Sequence, residues 1–274
     1  MTDMTAPRDR LSPAFIEELH ERALEFADTA RALVNHAWAS GFTAERKADG
    51  SFVTNVDLEV EDRLRQLIRR HYPDHGVLGE EFPPARPGAE FQWIIDPIDG
   101  TEDFVHRVPT FGSIFALYYQ GEPVVGILDH PALAVRCHAA YRRGTWKNEE
   151  RVVIEDLSPD HPAEQVRLVT SARANYIRYR DDGADFDAVT RAFPNHRIYR
   201  SCYGHTLVAT GGVDAMVDYQ DTPWDIAACR LTTEEAGGVF RVVRQFMVEG
   251  TPIYSTVFGK RAVVERLCAL LGTA

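Results

Sequence analysis

Apolar positions recur at intervals of three and four residues over the first seventy residues of the chain, which is the spacing of one helix face. Ser12 and Pro13 have the residue types of an N-cap and a first helical position, and the apolar pattern continues to Gly41. A second helix is predicted to start near Thr54 to Asp57 and to run to Pro73. The pattern therefore predicts two long amphipathic helices, each with an apolar face to bury.

Short runs of β-forming residues follow, separated by glycine and proline. Two of them precede residue 100, and three more are close enough in sequence to form an antiparallel meander that no helix interrupts. These runs lie at 77–79, 91–95, 113–119, 124–128 and 134–140. From about residue 160 onward, strands are predicted at 166–170, 197–199, 215–218 and around Val239, and they alternate with helices at 186–193, 203–210, 224–236 and 261–271.

This order of elements predicts one compact body of stacked helices and sheets. We expect an α/β fold, a layered α-β-α-β-α sandwich with a site between its two halves. Residues 1–12 are predicted to be a flexible N-terminus, residues 13–158 an α+β half and residues 159–274 an α/β half. No internal repeat and no long polar linker divides the chain further.

Composition narrows the possible functions. Of the 274 residues 45% are hydrophobic, and 30 basic and 41 acidic residues give a formal net charge of −11. This charge repels a phosphate backbone, so a nucleic acid is not expected as a partner. Because neither a run of 18 apolar residues nor an apolar leader is present, we expect a cytoplasmic protein without membrane attachment. The four cysteines are scattered, which indicates neither a zinc site nor a disulfide framework.

The most informative segment is 96–101, Asp-Pro-Ile-Asp-Gly-Thr, which directly follows an apolar strand. Residues two apart share a face of a strand, so a spacing of three with a proline between predicts a turn that brings Asp96 and Asp99 to one point. The backbone carbonyl of Ile98 is expected to face the same point. These residues would then supply three hard oxygen ligands for a divalent cation.

Two further carboxylates join this group in our interpretation. Glu80 closes an upstream strand, and Asp225 opens a predicted helix downstream. Carboxylates gathered at one point repel one another by about 4 kcal/mol per pair at 4 Å in a medium of effective dielectric near 20. A divalent cation removes that repulsion, and the lack of histidine and cysteine in these motifs favours Mg²⁺ or Mn²⁺ over Zn²⁺.

Three motifs, in order and at matching spacing, resemble those of the inositol monophosphatase family. They are Gly-Glu-Glu at 79–81, Trp-Ile-Ile-Asp-Pro-Ile-Asp-Gly-Thr at 93–101 and Trp-Asp-Ile-Ala-Ala at 224–228. Residues 47–57 are similar to the N-terminal lid motif of that family, and residues 211–215 and 235–238 are similar to parts of its C-terminal half. The resemblance covers about residues 14–245 and implies a fold of the inositol monophosphatase/fructose-bisphosphatase type.

The resemblance implies a Mg²⁺-dependent phosphate monoester hydrolase with two or three cations per site. Glu80, Asp96 and the Ile98 carbonyl would hold one cation, and Glu80 would also lie near a weaker third. Asp96, Asp99 and Asp225 would hold the second. Such cations activate water for an in-line displacement at phosphorus. The resemblance further implies sensitivity to lithium and a homodimer.

Catalytic roles are also implied residue by residue. Asp57 and Thr101 would orient the attacking water beside Glu80, and Lys47 would lie in a mobile lid over the site.

Contacts to the substrate follow from the same resemblance. Backbone amides at Gly100 and Thr101 would hold phosphate oxygens, with Asp225 beside them. Asp218 stands where the family has an acidic contact to substrate hydroxyls, usually a glutamate, so the shorter side chain leaves the identity of the alcohol open.

Alternatives stay open at this point. An aspartyl-phosphate hydrolase would have Asp-x-Asp-Gly-Thr, one residue shorter than the segment found, and covalent labelling of Asp96 would reveal it. A non-catalytic metal-binding or regulatory protein of the same fold would show no metal-dependent turnover. Within the superfamily, the substrate is a small phosphorylated alcohol such as inositol 1-phosphate, or alternatively histidinol phosphate, an adenosine bisphosphate or a sugar bisphosphate. Arg200, Tyr203 and His205 either line a substrate pocket or pack in the core.

Overall fold

The computed structural model describes residues 6–177, 183–199 and 201–273, so Arg200 lies outside the described residues. The long helix α1, Pro13–Ser40, begins where the sequence predicts it, and the Ser12 side chain accepts a hydrogen bond from the Phe15 amide at 3.2 Å. A hairpin of β1, Ala44–Arg46, and β2, Phe52–Thr54, leads into α2, Asn55–His71. Both predicted N-terminal helices are confirmed.

Part of the segment expected to be flexible is ordered against the body of the protein. Residues Pro7–Arg10 form a short 3-10 helix. Arg8 donates a hydrogen bond to the Pro123 carbonyl at 3.0 Å, and the Tyr141 hydroxyl donates one to Asp9 at 2.6 Å. These contacts tie residues 7–10 to the first sheet.

The first sheet has seven strands in the order β3-β4-β5-β6-β7-β8-β9, in which only the β3–β4 pair is parallel. Its strands, together with the short helix α3 that follows β4, are β3 Gly76–Gly79, β4 Phe91–Asp99, α3 Thr101–Val105, β5 Gly112–Tyr119, β6 Glu122–His130, β7 Val135–Ala140, β8 Gly144–Lys147 and β9 Glu150–Val152. The predicted meander is confirmed, and β8 and β9 extend it beyond the prediction.

The second sheet has five strands in the order β11-β10-β12-β14-β13. Strand β10 is parallel to both of its neighbours, whereas β14 is antiparallel to both of its own. Its elements are β10 Leu168–Thr170, α4 Arg173–Ile177, α5 Ala184–Ala192, β11 His196–Ile198, α6 Ser201–Ala209, β12 Ala215–Asp221, α7 Cys229–Glu235, β13 Val239–Val248, β14 Thr251–Gly259 and α8 Arg261–Leu270.

Two elements of this half differ from the prediction. Strand β14 was not predicted; it forms a long hairpin with β13 through a turn at Glu249 and Gly250, both of which have positive φ. The helix predicted from Trp224 begins only at Cys229, and residues 223–228 form turns. The Asp225 carboxylate accepts the Thr222 amide at 2.7 Å, a local side-chain bond that competes with helix formation.

Alternating side chains of the two sheets separate the apolar core into layers. Helices α1 and α2 pack on the outer face of the first sheet, and α6 and α7 lie between the sheets. In β10, Leu168 faces the outer helices α4, α5 and α8, while its neighbour Val169 faces α6 and α7. The order of layers is α-β-α-β-α, as predicted. Among the described residues, no helix combines the length and the apolar character needed to cross a membrane.

Candidate active site

A β-bulge in β4 brings Asp96 and Asp99 to one face of the first sheet. Asp96 pairs with Ile114 and Asp99 with Gly112, so two residues of β4 oppose the single residue Ser113. Ile98 therefore packs in the outer core with α1 and α2, and both aspartates face the space between the sheets. The turn that the sequence predicted is instead an extra residue within a continuing strand.

Strand β12 of the second sheet has a similar irregularity. Its register shifts between Tyr219 and Asp221, and Gln220 between them has a φ of 77°. As a result, Asp218 and Asp221, again three apart, lie together with His205 of α6, with one ligand atom of each within 4.8 Å of the others. His205 Nε2 lies 2.9 Å from Asp218 Oδ2.

Asp96, Asp99 and Asp225 form the centre of the site. One carboxylate oxygen of each lies within 4.8 Å of the other two. Asp96 is only 1% exposed, and its Oδ1 atom has no hydrogen-bond partner among the described residues. A buried, unpartnered carboxylate oxygen between two other carboxylates is a site for a cation. The oxygen-only donor set fits the hard divalent cation that the sequence predicted.

The carboxylates of this cluster disfavour one another's ionisation and so raise one another's pKa. Burial, followed by the carboxylates of Glu80, Asp99 and Asp225, raises the pKa of Asp96 well above its usual value. Burial and the neighbouring Asp99 raise the pKa of Asp225 to about 8. Carboxylates that resist ionisation in the absence of a counter-charge will bind a cation in competition with protons.

Lys47 lies over this cluster on the exposed β1–β2 hairpin. Its Nζ atom is 2.8 Å from Glu80 Oε1 and 2.8 Å from Glu81 Oε1. Burial opposes the charge, but Glu80 and Glu81 raise the pKa of Lys47 above its usual value, so it is an ammonium. Burial raises the pKa of Glu80 to about 7, although Lys47 acts against the shift. Lys47 therefore forms an ion pair with the Glu80 carboxylate, which was predicted to bind a cation.

Asp57 is fully buried at the start of α2. It forms a capping box with Thr54, whose backbone amide donates to Asp57 Oδ2 at 2.8 Å. Its second oxygen, Oδ1, has no partner among the described residues, and burial raises the pKa of Asp57 to about 6.

Thr101, at the start of α3, is the other residue predicted to orient water. Its hydroxyl donates to the Ile98 carbonyl at 2.9 Å. The oxygen expected as a cation ligand therefore already accepts one hydrogen bond, and its second lone pair is left for a cation. Gly100, with a φ of 79°, turns the chain from β4 into α3.

A cleft of about 470 Å³ between the sheets unites these groups. Every predicted site residue except the buried Asp57 lines the cleft: Lys47, Glu80, Asp96, Ile98, Asp99, Gly100, Thr101, Asp218 and Asp225. His205 is also in the lining, whereas Tyr203 packs against His130 and Tyr199.

Sequence reasoning missed two contributions to the site. Asp221 lines the cleft three residues after Asp218, and this repeat of the Asp96–Asp99 spacing was a signal that could have found it. The Cys202 amide, at the start of α6, donates to Asp99 Oδ2 across 103 residues of chain, and no local pattern indicates such a contact.

Comparisons with known proteins agree with this geometry. A profile of the inositol monophosphatase family matches residues 16–265. A histidinol-phosphatase of Chlorobaculum parvum is 32% identical over 254 residues, covering 91% of this chain and 95% of the relative. A histidinol-phosphatase of Mycobacterium tuberculosis is 36% identical over 221 residues, covering 79% and 84%. The structure of an inositol monophosphatase from Anabaena is 25% identical with a TM-score of 0.78, covering 94% of this chain and 96% of that one. The chain belongs to the inositol monophosphatase family and is a phosphomonoester hydrolase.

Proposed function

We propose that the protein is a Mg²⁺-dependent hydrolase of a small phosphorylated alcohol such as inositol 1-phosphate. The observation that carries this proposal is the Oδ1 atom of Asp96, which is buried near two other carboxylates in the lining of the cleft and has no hydrogen-bond partner among the described residues. A structural carboxylate at this depth would be hydrogen-bonded or paired with a base. Its present surroundings suit a carboxylate that binds a cation and, through it, a phosphate.

The ligand set that we propose spans both halves of the fold. Glu80, Asp96 and the Ile98 carbonyl would hold one cation, Asp96, Asp99 and Asp225 a second, and Glu80 would also lie near a third. When bound, the cations lower the pKa of a water molecule and neutralise charge on the phosphate and the leaving oxygen. The binding of two or three Mg²⁺ ions per site, or of Mn²⁺ in their place, stays a prediction.

The protein itself contributes orientation and proton handling. Because the Thr101 hydroxyl donates its hydrogen to Ile98, its oxygen is free to accept a hydrogen from the attacking water. Burial raises the pKa of Asp57 to about 6, and its Oδ1 atom, which has no hydrogen-bond partner among the described residues, would be a second acceptor for this water. The first-turn amides of α3, at Gly100 and Thr101, would hold phosphate oxygens.

Lys47 has a role on the open side of the site. It pairs with Glu80 in the described structure, so a cation at Glu80 must displace or share this contact. Since Lys47 belongs to an exposed hairpin, we propose that the hairpin moves as a lid when cations and phosphate bind.

A second candidate substrate is histidinol phosphate. Asp218 and Asp221 place two buried carboxyl groups in the lining of the cleft, and a substrate amine would bind there as an ammonium. Two of the relatives described above are named histidinol-phosphatases. An inositol phosphate would use the same groups as acceptors for its hydroxyls. A homodimer, lithium sensitivity and a cytoplasmic location stay predictions.

A phosphatase panel tests the proposal. The purified protein is assayed with inositol 1-phosphate, histidinol phosphate, fructose 1,6-bisphosphate and an adenosine bisphosphate, each with Mg²⁺ and with excess chelator. We expect the protein to hydrolyse inositol 1-phosphate or histidinol phosphate. Excess chelator should abolish this activity, and added Mg²⁺ should restore it. Full turnover in chelator would overturn the cation-based mechanism, and a stable phosphoryl group on Asp96 would indicate the aspartyl-phosphate alternative.

A further inference from the structure

A buried ion pair on α2 contacts the loop that presents Glu80. Glu61 is fully buried and lies one helical turn after Asp57, and Arg65 follows one turn later. Arg65 Nε donates to Glu61 Oε1 at 2.8 Å. The pair therefore extends the face of α2 that already carries Asp57 along the edge of the active site.

Glu61 binds the loop through backbone amides. Its Oε2 accepts the Glu81 amide at 2.8 Å, and its Oε1 accepts the Phe82 amide at 3.3 Å. A charged acceptor makes stronger hydrogen bonds to amides than a neutral one, and burial strengthens them further. The backbone directly after Glu80 is thus fixed to α2 by a carboxylate.

Arg65 binds the same loop through its carbonyls. Its guanidinium donates to Phe82 O at 2.9 Å and to Pro83 O at 3.1 Å while it pairs with Glu61. The planar guanidinium can make all of these contacts at once, which the ammonium of a lysine cannot. Residues 81–83 are therefore held on both the amide and the carbonyl side.

The strand that leads into the loop is shaped to admit Glu61. A Cβ atom built on Gly79 would lie 2.0 Å from Glu61 Oε1, so any side chain there would displace the carboxylate. The glycine of the Gly-Glu-Glu motif is explained by this close approach. Glu81, in turn, is fixed at its backbone by Glu61 and at its side chain by Lys47.

We propose that Glu61 and Arg65 are positioning residues that hold Glu80 in place for cation binding. The inference rests on the proposed function, because it takes Glu80 to be a cation ligand. Groups that orient metal ligands typically change metal affinity by 10- to 100-fold when they are replaced. Glu61 and Arg65 act through the loop backbone and do not touch the substrate.

Metal affinity is the readout that separates positioning from simple structural support. In the full-length protein, Glu61→Gln loses the charge and turns an amide donor toward either Arg65 or the loop amides. We expect its dissociation constant for Mg²⁺, measured by calorimetry on metal-free protein, to rise about 10-fold or more. Hydrogen exchange at the Glu81 and Phe82 amides should become faster in the same variant, without metal present.

A matched control comes from the second sheet. Asp214 is also buried, accepts the Arg167 amide at 2.7 Å and pairs with the Arg167 guanidinium, but it does not line the cleft. Asp214→Asn should lower the melting temperature and leave Mg²⁺ affinity within threefold of wild type, about the scatter expected for an unrelated site. Arg65→Lys should lose less affinity than Arg65→Met, because it keeps the charge beside Glu61.

The outcomes are distinct. Wild-type Mg²⁺ affinity and unchanged exchange in Glu61→Gln, with only a lower melting temperature, would overturn the positioning role. If Glu61→Gln does not fold, Gly79→Ala and Arg65→Met decide the question, and unchanged Mg²⁺ affinity in both would overturn the positioning role. If wild-type protein itself binds no Mg²⁺, the proposed function fails and this inference fails with it.

Discussion

Asp96 combines deep burial, an orphaned oxygen and three nearby carboxylates, an arrangement that lowers stability unless a cation is bound. The buried Asp129 on β6, two strands away in the same sheet, makes a useful contrast. Its carboxylate is bonded by the guanidinium groups of Arg31 and Arg136, at 3.0 Å and 2.6 Å. One aspartate is fully satisfied by the fold, and the other is left for a ligand.

We expect Asp96→Asn to lose at least about 90% of the activity, a barrier increase of about 1.4 kcal/mol or more, because Asp96 is proposed to contact both cations. The melting temperature of the metal-free variant should stay equal or rise, since one buried charge is removed. Steady-state kinetics and thermal unfolding check both. Asp129→Asn is the control, which should lose stability and keep its activity; the reverse pattern in the two variants would refute the assignment.

Asp218 should control the affinity for the substrate more than the chemical step, because it lines the cleft and is predicted to face the alcohol end of the substrate. Asp218→Ala should raise KM with kcat little changed, and by a larger factor for an amine substrate than for a polyol, since a hydrogen bond between charged partners loses more on truncation. Both constants are measured on the best substrate of the panel. A fall in kcat at unchanged KM would assign Asp218 to the transition state instead.

At the scale of secondary-structure elements, the features that depend only on residues close together in the sequence were predictable. The Ser12 cap of α1 was predicted, and so was the start of α2, although not the Thr54–Asp57 capping box that forms it. Both helix starts depend on residues within one turn. The bulges in β4 and β12 depend on how each strand pairs with its neighbour, which local sequence does not show. The sequence therefore predicted that Asp96 and Asp99 meet, but through a turn and not through a bulge. Glu61 was missed because its partners, 20 and 21 residues away, come close only in the folded chain.

Helix α1 contacts strand β7 through a hydrogen bond between His20 and His138, and the partners of His138 determine its tautomer. His138 Nε2 donates to the Asn148 carbonyl at 3.0 Å, which leaves its Nδ1 as the acceptor for His20 Nε2 at 2.9 Å. Burial, followed by the neighbouring His138, lowers the pKa of His20 to about 4. The hydrogen bond between these two elements therefore requires a neutral His138, and burial disfavours a charged His20.

This contact predicts a loss of stability in acid. The pKa of His20 is lower in the folded chain than the usual 6.5, so between about pH 6.5 and pH 4 the unfolded chain binds more protons. The stabilisation is present above pH 6.5 and is lost as the pH falls through this window, with an upper limit of about 3 kcal/mol.

We expect His20→Gln to have a smaller decrease in unfolding free energy between pH 7 and pH 4.5 than wild type, as measured by urea unfolding. Asp57, whose pKa is raised to about 6, acts in the opposite direction in both proteins, so it cancels in the comparison. Equal pH dependence in the two proteins would contradict the prediction.

At the scale of the whole molecule, the ligand set joins the two halves of the chain. Glu80 follows β3, and Asp96 and Asp99 lie at the end of β4 in the first sheet. Asp225 comes from the turns that precede α7, which packs between the sheets. A cation bound to Asp96, Asp99 and Asp225 would therefore connect the first sheet to the middle layer.

Mg²⁺ should raise the melting temperature of the protein, because a ligand that binds only the folded state stabilises it by about 2.7 kcal/mol at a hundredfold excess over its dissociation constant. Differential scanning calorimetry with Mg²⁺ and with chelator measures the gain. Asp225→Asn should lose most of it, and Asp129→Asn should keep it. A gain of equal size in Asp225→Asn would show that Mg²⁺ binds elsewhere.

The bulge in β4 also determines what a deletion in that segment would change. Deleting one residue between Asp96 and Asp99 would remove the bulge but leave both aspartates on one face, because residues two apart on a regular strand share a face. The deletion would instead remove one of the two backbone carbonyls between them. The Pro97 carbonyl accepts the Ser113 hydroxyl at 2.6 Å and the Ile98 carbonyl accepts the Thr101 hydroxyl at 2.9 Å, so the extra residue of the bulge supplies an additional backbone acceptor beside the two carboxylates.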